Sequence, residues 1–343
     1  MQLQNYIIIF FLFLLYFFFL KRYPVLSDNQ ADSEHKKFVI GYSSPILLGG
    51  VFIYSIVLIF LDNDLLFLKI ILGLIFVIGI LSDKNILPNP KLRLLLQIII
   101  LFVLVHFENL EINNLSSNFL NNLLTNNFFN ICFTVFCLAV LINGSNFIDG
   151  LNGLLAGYCI MVILSIMFVI YNFDLITLQE HEIFNSILIS LFLFFIFNFI
   201  GLVFLGDSGS YLISAFVGVY LIKLILINTS LSPYYIALIL WYPAFENLFS
   251  LLRRTLKNKN ASLADNLHFH QLLYLYVKSL KLINEKIVNS FTGVIIILLN
   301  IPSFIVASVA PFYSNKLIIM ILINIVSYLI IYKFLFSRFV NKK

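Results

Sequence analysis

Long apolar runs alternate with short polar segments along the whole chain. A helix that crosses a membrane needs about 20 mostly apolar residues, and eleven segments come close to that requirement. They are 4–20, 42–61, 65–82, 92–107, 128–147, 151–172, 182–200, 208–227, 234–251, 289–311 and 316–336. The pattern predicts an all-α, polytopic integral membrane protein with about eleven transmembrane helices, in which residues 1–343 form a single membrane-embedded domain.

Composition supports this class. The chain is 61% apolar and only 11% charged, whereas soluble domains are about 45–50% apolar and about 25% charged. These values exclude a soluble enzyme, and the low charge also excludes a disordered chain. The three cysteines, Cys132, Cys137 and Cys159, lie in apolar runs without a CxxC pair. A zinc site or a disulfide framework is therefore disfavoured.

The placement of positive charge predicts an orientation. Lys21 and Arg22 follow the first apolar run, which no basic segment precedes, so we interpret it as a retained helix whose N-terminus is outside. All but three of the 21 Lys and Arg residues then fall on the cytoplasmic side, which also places the C-terminus there. The basic inner loop 252–288 is the longest extramembrane segment, and we expect it to contribute to the active site.

Four acidic residues lie at helix ends on the same predicted face: Asp83, Asp149, Asp207 and Glu246. Ionisable groups at membrane depth are costly and usually functional. Any one of them could instead cap a helix, as Asp207 could cap the helix after it and Asp149 the helix that begins near 151. Because four carboxylates from distant segments converge on one face, the pattern favours a shared site.

Glycines adjoin the acids in FIDGLNGL and FLGDSGSYL. The helix that follows GDSGS would offer free N–H groups to an anion such as phosphate. Neighbouring carboxylates would repel that phosphate unless a cation lay between them, and Mg²⁺ binds carboxylate and phosphate oxygens together. The motif therefore predicts a Mg²⁺–phosphate site at the cytoplasmic surface. Glycine used for close helix packing is the alternative, but it does not account for the acids.

The inner loop contributes basic residues and two histidines. Arg253 and Arg254 could pair with phosphates, although an ordinary cytoplasmic loop gives the same pattern. His268 and His270, two residues apart, would share one side of an extended segment, which suits a loop wall lined by imidazoles. Residues 272–283 could form an interfacial helix.

Taken in order, the motifs resemble a known family. They are HKK…SP..LGG, SDK…PKLRLLLQ, NGSNFIDGLNGL, FNF…FLGDSGSYL and LRR…ADNLHFHQLL, between about residues 35 and 273. The order is similar to that of the polyprenyl-phosphate N-acetylhexosamine-1-phosphate transferases, of the glycosyltransferase family 4 type. These integral membrane enzymes start bacterial cell-surface glycan assembly.

The resemblance implies a reaction and a place. Undecaprenyl phosphate would attack the β-phosphate of a UDP-N-acetylhexosamine, giving a lipid-diphosphate-sugar and UMP. The cofactor would be Mg²⁺ or Mn²⁺, and the active site would lie at the cytoplasmic face of the bacterial inner membrane. The implied partners are the sugar nucleotide, the polyprenyl phosphate and membrane lipid, with no nucleic acid, and a homodimer is left open.

The resemblance also implies residue roles. Asp207 and Asp149 match the metal site. Asp83, Asp149, His268 and His270 are the implied catalytic residues. Substrate contacts are implied for His35, Lys36, Ser82, Asn143, Asn146, Asn152, Asn198, Glu246, Arg253 and Arg254.

This chain departs from the family pattern at four places. Ser82 stands where the first acid of an adjacent pair is expected, and Asn152 replaces the second acid of a DGxDG element. Glu246 is a conservative change, and Leu202-Val203 stand where a basic residue often precedes the GDSG element. A single displacement by a phosphate dianion stays compatible with these changes, because it needs positioning and charge neutralisation more than a base.

Two alternative functions differ from this one in their sequence patterns. A transporter or lipid flippase would place its charged groups near the bilayer midplane, within repeats, whereas here the acids gather at one face. Within the family, the phospho-N-acetylmuramoyl-pentapeptide transferases carry three adjacent histidines. The segment His268-Phe269-His270-Gln271 is nearer to the branch that uses UDP-N-acetylglucosamine or a related amino sugar.

Overall fold

The computed structural model describes residues 2–23, 25–26, 46–112, 114–175, 181–256 and 267–340. Within these ranges the chain forms fourteen α-helices and one small parallel sheet. The helices are α1 (Gln2–Arg22), α2 (Gly49–Phe60), α3 (Leu66–Asp83), α4 (Pro90–Phe107), α5 (Asn118–Leu124), α6 (Asn127–Ile148), α7 (Leu154–Asn172), α8 (His181–Phe199), α9 (Gly206–Ile227), α10 (Pro233–Ile239), α11 (Trp241–Leu256), α12 (Phe269–Leu280), α13 (Val288–Val309) and α14 (Ser314–Phe339). The predicted all-α, multi-pass fold class is confirmed.

Nine helices of the described ranges are long and apolar enough to cross a membrane, or ten if the pair α10 and α11 counts as one span. The ninth predicted segment, 234–251, is broken, because α10 and α11 meet at an angle of 73°. Pro243 accounts for the break, since proline lacks an N–H and its ring would clash with the carbonyl of Ile239 in a continuous helix. The second predicted segment contains α2, which has only 12 residues. The predicted count of eleven is not reproduced, and the orientation stays a prediction.

A short sheet joins two distant parts of the chain. Strand β1 (Ile46–Leu47) pairs in parallel with β2 (Val203–Phe204), with Ile46 opposite Val203. Each strand leads almost directly into a helix, β1 into α2 and β2 into α9. The sheet therefore holds the beginnings of α2 and α9 side by side.

Helix α9 lies at the centre of the bundle and is buried along most of its length. It packs against α2, α3 and α6. Glycines make the approach possible: a Cβ on Gly79 would collide with the backbone of Ser208, and one on Gly50 with the Ser208 side chain. Close packing through small residues is typical of membrane helices. Gly50 and Gly79 are therefore used for close packing against α9.

Helices α1, α4 and α14 cover the outside, and their candidate spans are only 17–22% buried. Most of their exposed side chains are large and apolar. Such surfaces are stable against lipid hydrocarbon and not against water. The three helices thus have the surface of membrane-facing elements, and α4 also reaches the centre of the site described next.

Candidate active site

The site begins where the end of α3 meets the start of α9. Asp83, the last residue of α3, accepts hydrogen bonds at Oδ1 from the backbone N–H of Asp207 (2.8 Å) and at Oδ2 from that of Ser208 (3.1 Å). The first N–H groups of a helix have no partner within the helix, so Asp83 caps α9 from a different helix. The sequence offered Asp207 as the cap and this helix start as a phosphate site. In the structure these two N–H groups donate hydrogen bonds to the Asp83 carboxylate instead.

Gly206 allows this contact. Its φ of +72° lies in the left-handed region that glycine adopts readily. A Cβ at this position would also lie 2.8 Å from Asp83 Oδ2. The glycine before Asp207 is therefore required both by the backbone conformation and by the approach of the carboxylate.

With the helix capped by Asp83, the side chain of Asp207 is turned to other partners. Its Oδ1 accepts a hydrogen bond from Asn146 Nδ2 (2.7 Å), and its Oδ2 lies 2.7 Å from Arg93 Nη1. The Ser82 hydroxyl contacts both Asp207 Oδ2 and Arg93. The structure therefore brings three predicted site residues together and adds an arginine between them. Asp207 and Arg93 remain 27% and 21% exposed, so the cluster is open to a ligand.

Sequence reasoning missed Arg93. No basic residue directly precedes the GDSG element in the sequence, and α4 supplies one from another part of the chain. A signal was present in PKLRLLLQ, where Arg93 and Gln97 are four residues apart and so share one face of an apolar helix. Gln97, which is fully buried, accepts a hydrogen bond from Asn143 Nδ2 (3.0 Å). Asn143 therefore bonds to α4 one turn away from the contact between Asn146 and Asp207.

Asp149 follows the last residue of α6 and is half-buried. It lies three residues after Asn146, so the two side chains are neighbours on the helix surface. The next residue, Gly150, contacts the histidine segment, since a Cβ on Gly150 would lie 2.5 Å from His270 Nε2. The segment from Asn146 to Gly150 thus contacts Asp207 at one end and His270 at the other.

The two histidines lie at a helix start and not on an extended wall. His268 has extended backbone angles and is the N-cap residue of α12, whereas His270 lies in the first turn of that helix. Their rings still stack on one side, with centroids 5.5 Å apart and planes at 15°. His268 Nδ1 lies 2.9 Å from Glu246 Oε1. The predicted loop wall is therefore corrected to the beginning of α12, which holds both imidazoles against α6 and α11.

Arg253 and Arg254 are buried in α11. Arg253 contacts the carbonyl of Leu267 and the hydroxyl of Tyr332, and Arg254 lies over the ring of Phe147 at 5.9 Å. Arg253 thus contacts the residue before His268, and Arg254 contacts the ring of Phe147, against which His268 also packs. Their predicted contact with substrate phosphates stays a prediction.

Two predicted substrate residues lie in hydrogen-bonded turns, and their contact with substrate stays a prediction. Asn198 accepts a hydrogen bond from the N–H of Gly153 (2.5 Å) and donates to the carbonyl of Val203 (2.7 Å). The N–H of Asn152 donates to the side chain of Asn289 (2.7 Å). Asn198 therefore joins the turn after Asp149 to the strand before Asp207.

His35 and Lys36 lie outside the described residues, as do residues 257–266 of the inner loop.

Within the described ranges, no group of three or more His, Cys, Asp and Glu side chains is arranged to hold a metal ion. Mg²⁺ nevertheless uses only one or two carboxylates and completes its shell with water and phosphate oxygens. A carboxylate offers about four lone pairs, and Asp207 Oδ1 receives one hydrogen bond, from Asn146. The oxygens of Asp207 therefore fit such an ion in their chemistry, and the role of Asp149 as a second ligand stays a prediction.

Residues 65–225 match the sequence model of glycosyl transferase family 4. No curated protein sequence matches the chain. The matched range contains Asp83, Arg93, Asn146, Asp149 and Asp207, but neither histidine of the site. The match supports assignment to the glycosyl transferase family 4 superfamily and indicates a transferase. Together with the apolar helices it indicates a multi-pass membrane protein.

Proposed function

We propose that this protein transfers N-acetylhexosamine 1-phosphate from a UDP-sugar to undecaprenyl phosphate and releases UMP. An oxygen of the lipid phosphate would attack the β-phosphorus of the sugar nucleotide. The bond between that phosphorus and the bridging oxygen would break, and the bridging oxygen would leave with UMP. The family match supports the general class of polyprenyl-phosphate sugar-1-phosphate transferases. The amino sugar, the lipid and the cytoplasmic face of a bacterial inner membrane are our proposal.

One observation carries the proposal: the contact of Asp83 with the start of α9. It places Asp207 beside Asn146 and Arg93 at the end of the bundle where α3 and α6 end and α9 begins. The carboxylates thus lie at helix ends and not in the middle of the spans, where a transporter would place them. A site at the end of the spans suits a lipid phosphate, whose headgroup lies at the membrane surface.

The residues present suit phosphoryl chemistry. A phosphomonoester is largely a dianion at neutral pH, so it needs little help from a base. What it needs is orientation and neutralisation of charge. Arg93 would neutralise phosphate charge beside Asp207, and His268 and His270 would contact the diphosphate. Mg²⁺ or Mn²⁺, held by Asp207 and Asp149, would supply further neutralisation of the diphosphate.

The test is transfer by the purified full-length protein in lipid nanodiscs. It would be incubated with Mg²⁺, undecaprenyl phosphate and one of several UDP-sugars, including UDP-N-acetylglucosamine, UDP-N-acetylgalactosamine and the UDP-N-acetylmuramoyl-pentapeptide. Mass spectrometry would detect the lipid-diphosphate-sugar and UMP. We expect product with an N-acetylhexosamine donor. Product with the pentapeptide donor alone would overturn the assigned substrate, and no product with any donor would overturn the proposal.

A matched pair of variants shows whether the described site is responsible. Asp207→Asn should abolish product formation. Asp62→Asn makes the same change at the opposite end of the apolar segment that ends at Asp83, and it should leave product formation unchanged. Equal activity in the two variants would contradict the placement of the site.

A further inference from the structure

Helix α14 carries two tyrosines that face the histidine segment. Tyr328 and Tyr332 are four residues apart, and their rings are parallel, with centroids 5.9 Å apart and planes at 5°. Both are buried. They lie more than one hundred residues beyond the matched range 65–225, and no motif of the sequence pointed to them.

Tyr328 is connected to His268 through the carboxylate of Glu246. The Tyr328 hydroxyl donates to Glu246 Oε2 (2.7 Å), while Oε1 contacts His268 Nδ1 (2.9 Å) and accepts the backbone N–H of Phe269 (3.1 Å). Glu246 is only 1% exposed. A buried carboxylate is tolerated when hydrogen bonds satisfy it, and these three donors do so. The two oxygens have separate partners, so the hydroxyl of Tyr328 fixes the direction in which Oε1 points.

This arrangement selects one tautomer of the His268 imidazole. An ionised carboxylate only accepts hydrogen bonds, so the proton between Glu246 and His268 resides on Nδ1. The group bonded to one ring nitrogen determines the state of the other. Nε2 is then the nitrogen left for a ligand. A rotated Glu246 would lose this control, and the ring could adopt the other tautomer.

The backbone on either side of His268 is fixed as well. On one side, Tyr332 donates to the carbonyl of Leu267 (3.0 Å). On the other side, the N–H of Phe269 is bound to Glu246. The ring of Phe269 also stacks on Tyr328, with centroids 4.8 Å apart. Helix α14 therefore fixes both the backbone position of His268 and the orientation of its imidazole ring.

We propose that Tyr328 is a positioning residue for His268, which it orients through Glu246 so that Nε2 of the imidazole faces the substrate phosphates. The part of this proposal that concerns substrate rests on the proposed function. The part that concerns the tautomer of His268 does not, and the two can be measured separately.

The test compares two tyrosine-to-phenylalanine variants. Tyr328→Phe removes the hydroxyl from Glu246. Tyr235→Phe is the matched control, because Tyr235 is also buried and its hydroxyl contacts Ser165 and not Glu246. The tautomer of His268 would be read by ¹⁵N NMR of histidine-labelled protein in nanodiscs at about pH 8, where free imidazole is neutral. A His268→Gln variant would assign the signal.

We expect wild type and Tyr235→Phe to show His268 with a single protonated nitrogen, Nδ1, and Tyr328→Phe to show a mixture of tautomers. In the transfer assay, kcat of Tyr328→Phe should fall about tenfold, as when an outer partner of a functional histidine is lost. The KM for the sugar nucleotide should change little. Identical His268 signals in wild type and Tyr328→Phe would overturn the proposal.

A second variant keeps the test decisive if Tyr328→Phe does not fold. Glu246→Leu fills a similar volume but offers no acceptor to His268 Nδ1–H, so it should release the ring to a mixture of tautomers. An unchanged single Nδ1–H signal in that variant would also overturn the proposal. If the tautomer responds as expected while wild type transfers no sugar phosphate, the positioning by Tyr328 stands and the proposed function fails.

Discussion

Asp83 Oδ1 and the backbone N–H of Asp207 are joined by a hydrogen bond of 2.8 Å, which links the last residue of α3 to the first turn of α9. Asp83 thereby accepts a free N–H at the positive end of a buried helix. The same contact determines where Asp207 lies relative to Arg93 and Asn146. Stability and site geometry are thus connected through one carboxylate.

Asp83→Asn should therefore lower both stability and turnover. An amide has one acceptor oxygen where the carboxylate has two, so one N–H of α9 would lose its partner. Loss of a helix cap costs about 1 kcal/mol. We expect a lower melting temperature in detergent and near-complete loss of transfer. A variant that melts like wild type would contradict the capping role of Asp83, whatever its activity.

Asp207→Asn should weaken binding of a divalent cation without unfolding the protein. Asp207 accepts no backbone N–H of the cap, so its replacement leaves the start of α9 intact. Titration with Mn²⁺, followed by electron paramagnetic resonance, should show binding weakened about tenfold or more, which corresponds to about 1.4 kcal/mol. Asp62→Asn is the control. Equal Mn²⁺ affinity in wild type and Asp207→Asn would show that Asp207 is not a metal ligand.

Arg93→Gln should reduce turnover about tenfold or more, because it removes the cation 2.7 Å from Asp207 that we expect to neutralise phosphate charge. Arg93→Lys keeps the charge but loses the planar guanidinium, so it should retain part of the activity. Arg338→Gln, which removes an arginine stacked on Tyr276 at 5.1 Å, is the control. Full activity of Arg93→Gln would show that this arginine only pairs with Asp207.

The sequence revealed the acids of the site because each interrupts an apolar pattern. Asp83, Asp149 and Asp207 lie where a run of apolar residues begins or ends, and the GDSG and DGLNG motifs mark the same positions. Their convergence also followed from the alternation of spans. The proline at 243 is a sequence signal for the break between α10 and α11, but the continuous hydropathy of 234–251 favoured a single span.

Other features could not be found in this way. Arg93 looks like one more basic residue at the cytoplasmic end of a span. Tyr328 and Tyr332 look like aromatic residues of a lipid-facing helix. The capping of α9 by Asp83 joins residues 124 positions apart, and local signals predict only caps that are near in sequence. In each case the function of the side chain depends on a contact between distant helices.

The orientation of the chain can be tested by reporter fusions. The distribution of Lys and Arg predicts that Asn122 is outside and Asn260 is inside. Asn122 is exposed in the short helix α5, and Asn260 lies outside the described residues. Fusions at both positions should report opposite sides of the membrane. A report of the same side would contradict the orientation, and with it the assignment of the active site to the cytoplasmic face.

Ser82 provides the sharpest test of how the nucleophile is activated. Its hydroxyl contacts Asp207 and Arg93, but it is neutral and cannot act as a base near neutral pH. If the lipid phosphate is already a dianion, no base is needed at this position. Ser82→Ala would then remove the hydrogen bonds of this hydroxyl with Asp207 and Arg93, while Arg93 and Asp207 keep their direct contact. At a net cost of about 1 kcal/mol, we expect at most about a fivefold loss of initial rate.

Ser82→Asp should likewise be tolerated, because the added carboxylate would lie in contact with the guanidinium of Arg93, which offsets its repulsion from Asp207. Asp83→Asn should lose nearly all activity, since it alters the start of α9. The measurement is the initial rate of transfer against pH for the three variants. If Ser82→Ala is as inactive as Asp83→Asn, the hydroxyl takes part in the chemistry and a dianion that needs no base is the wrong description of the nucleophile.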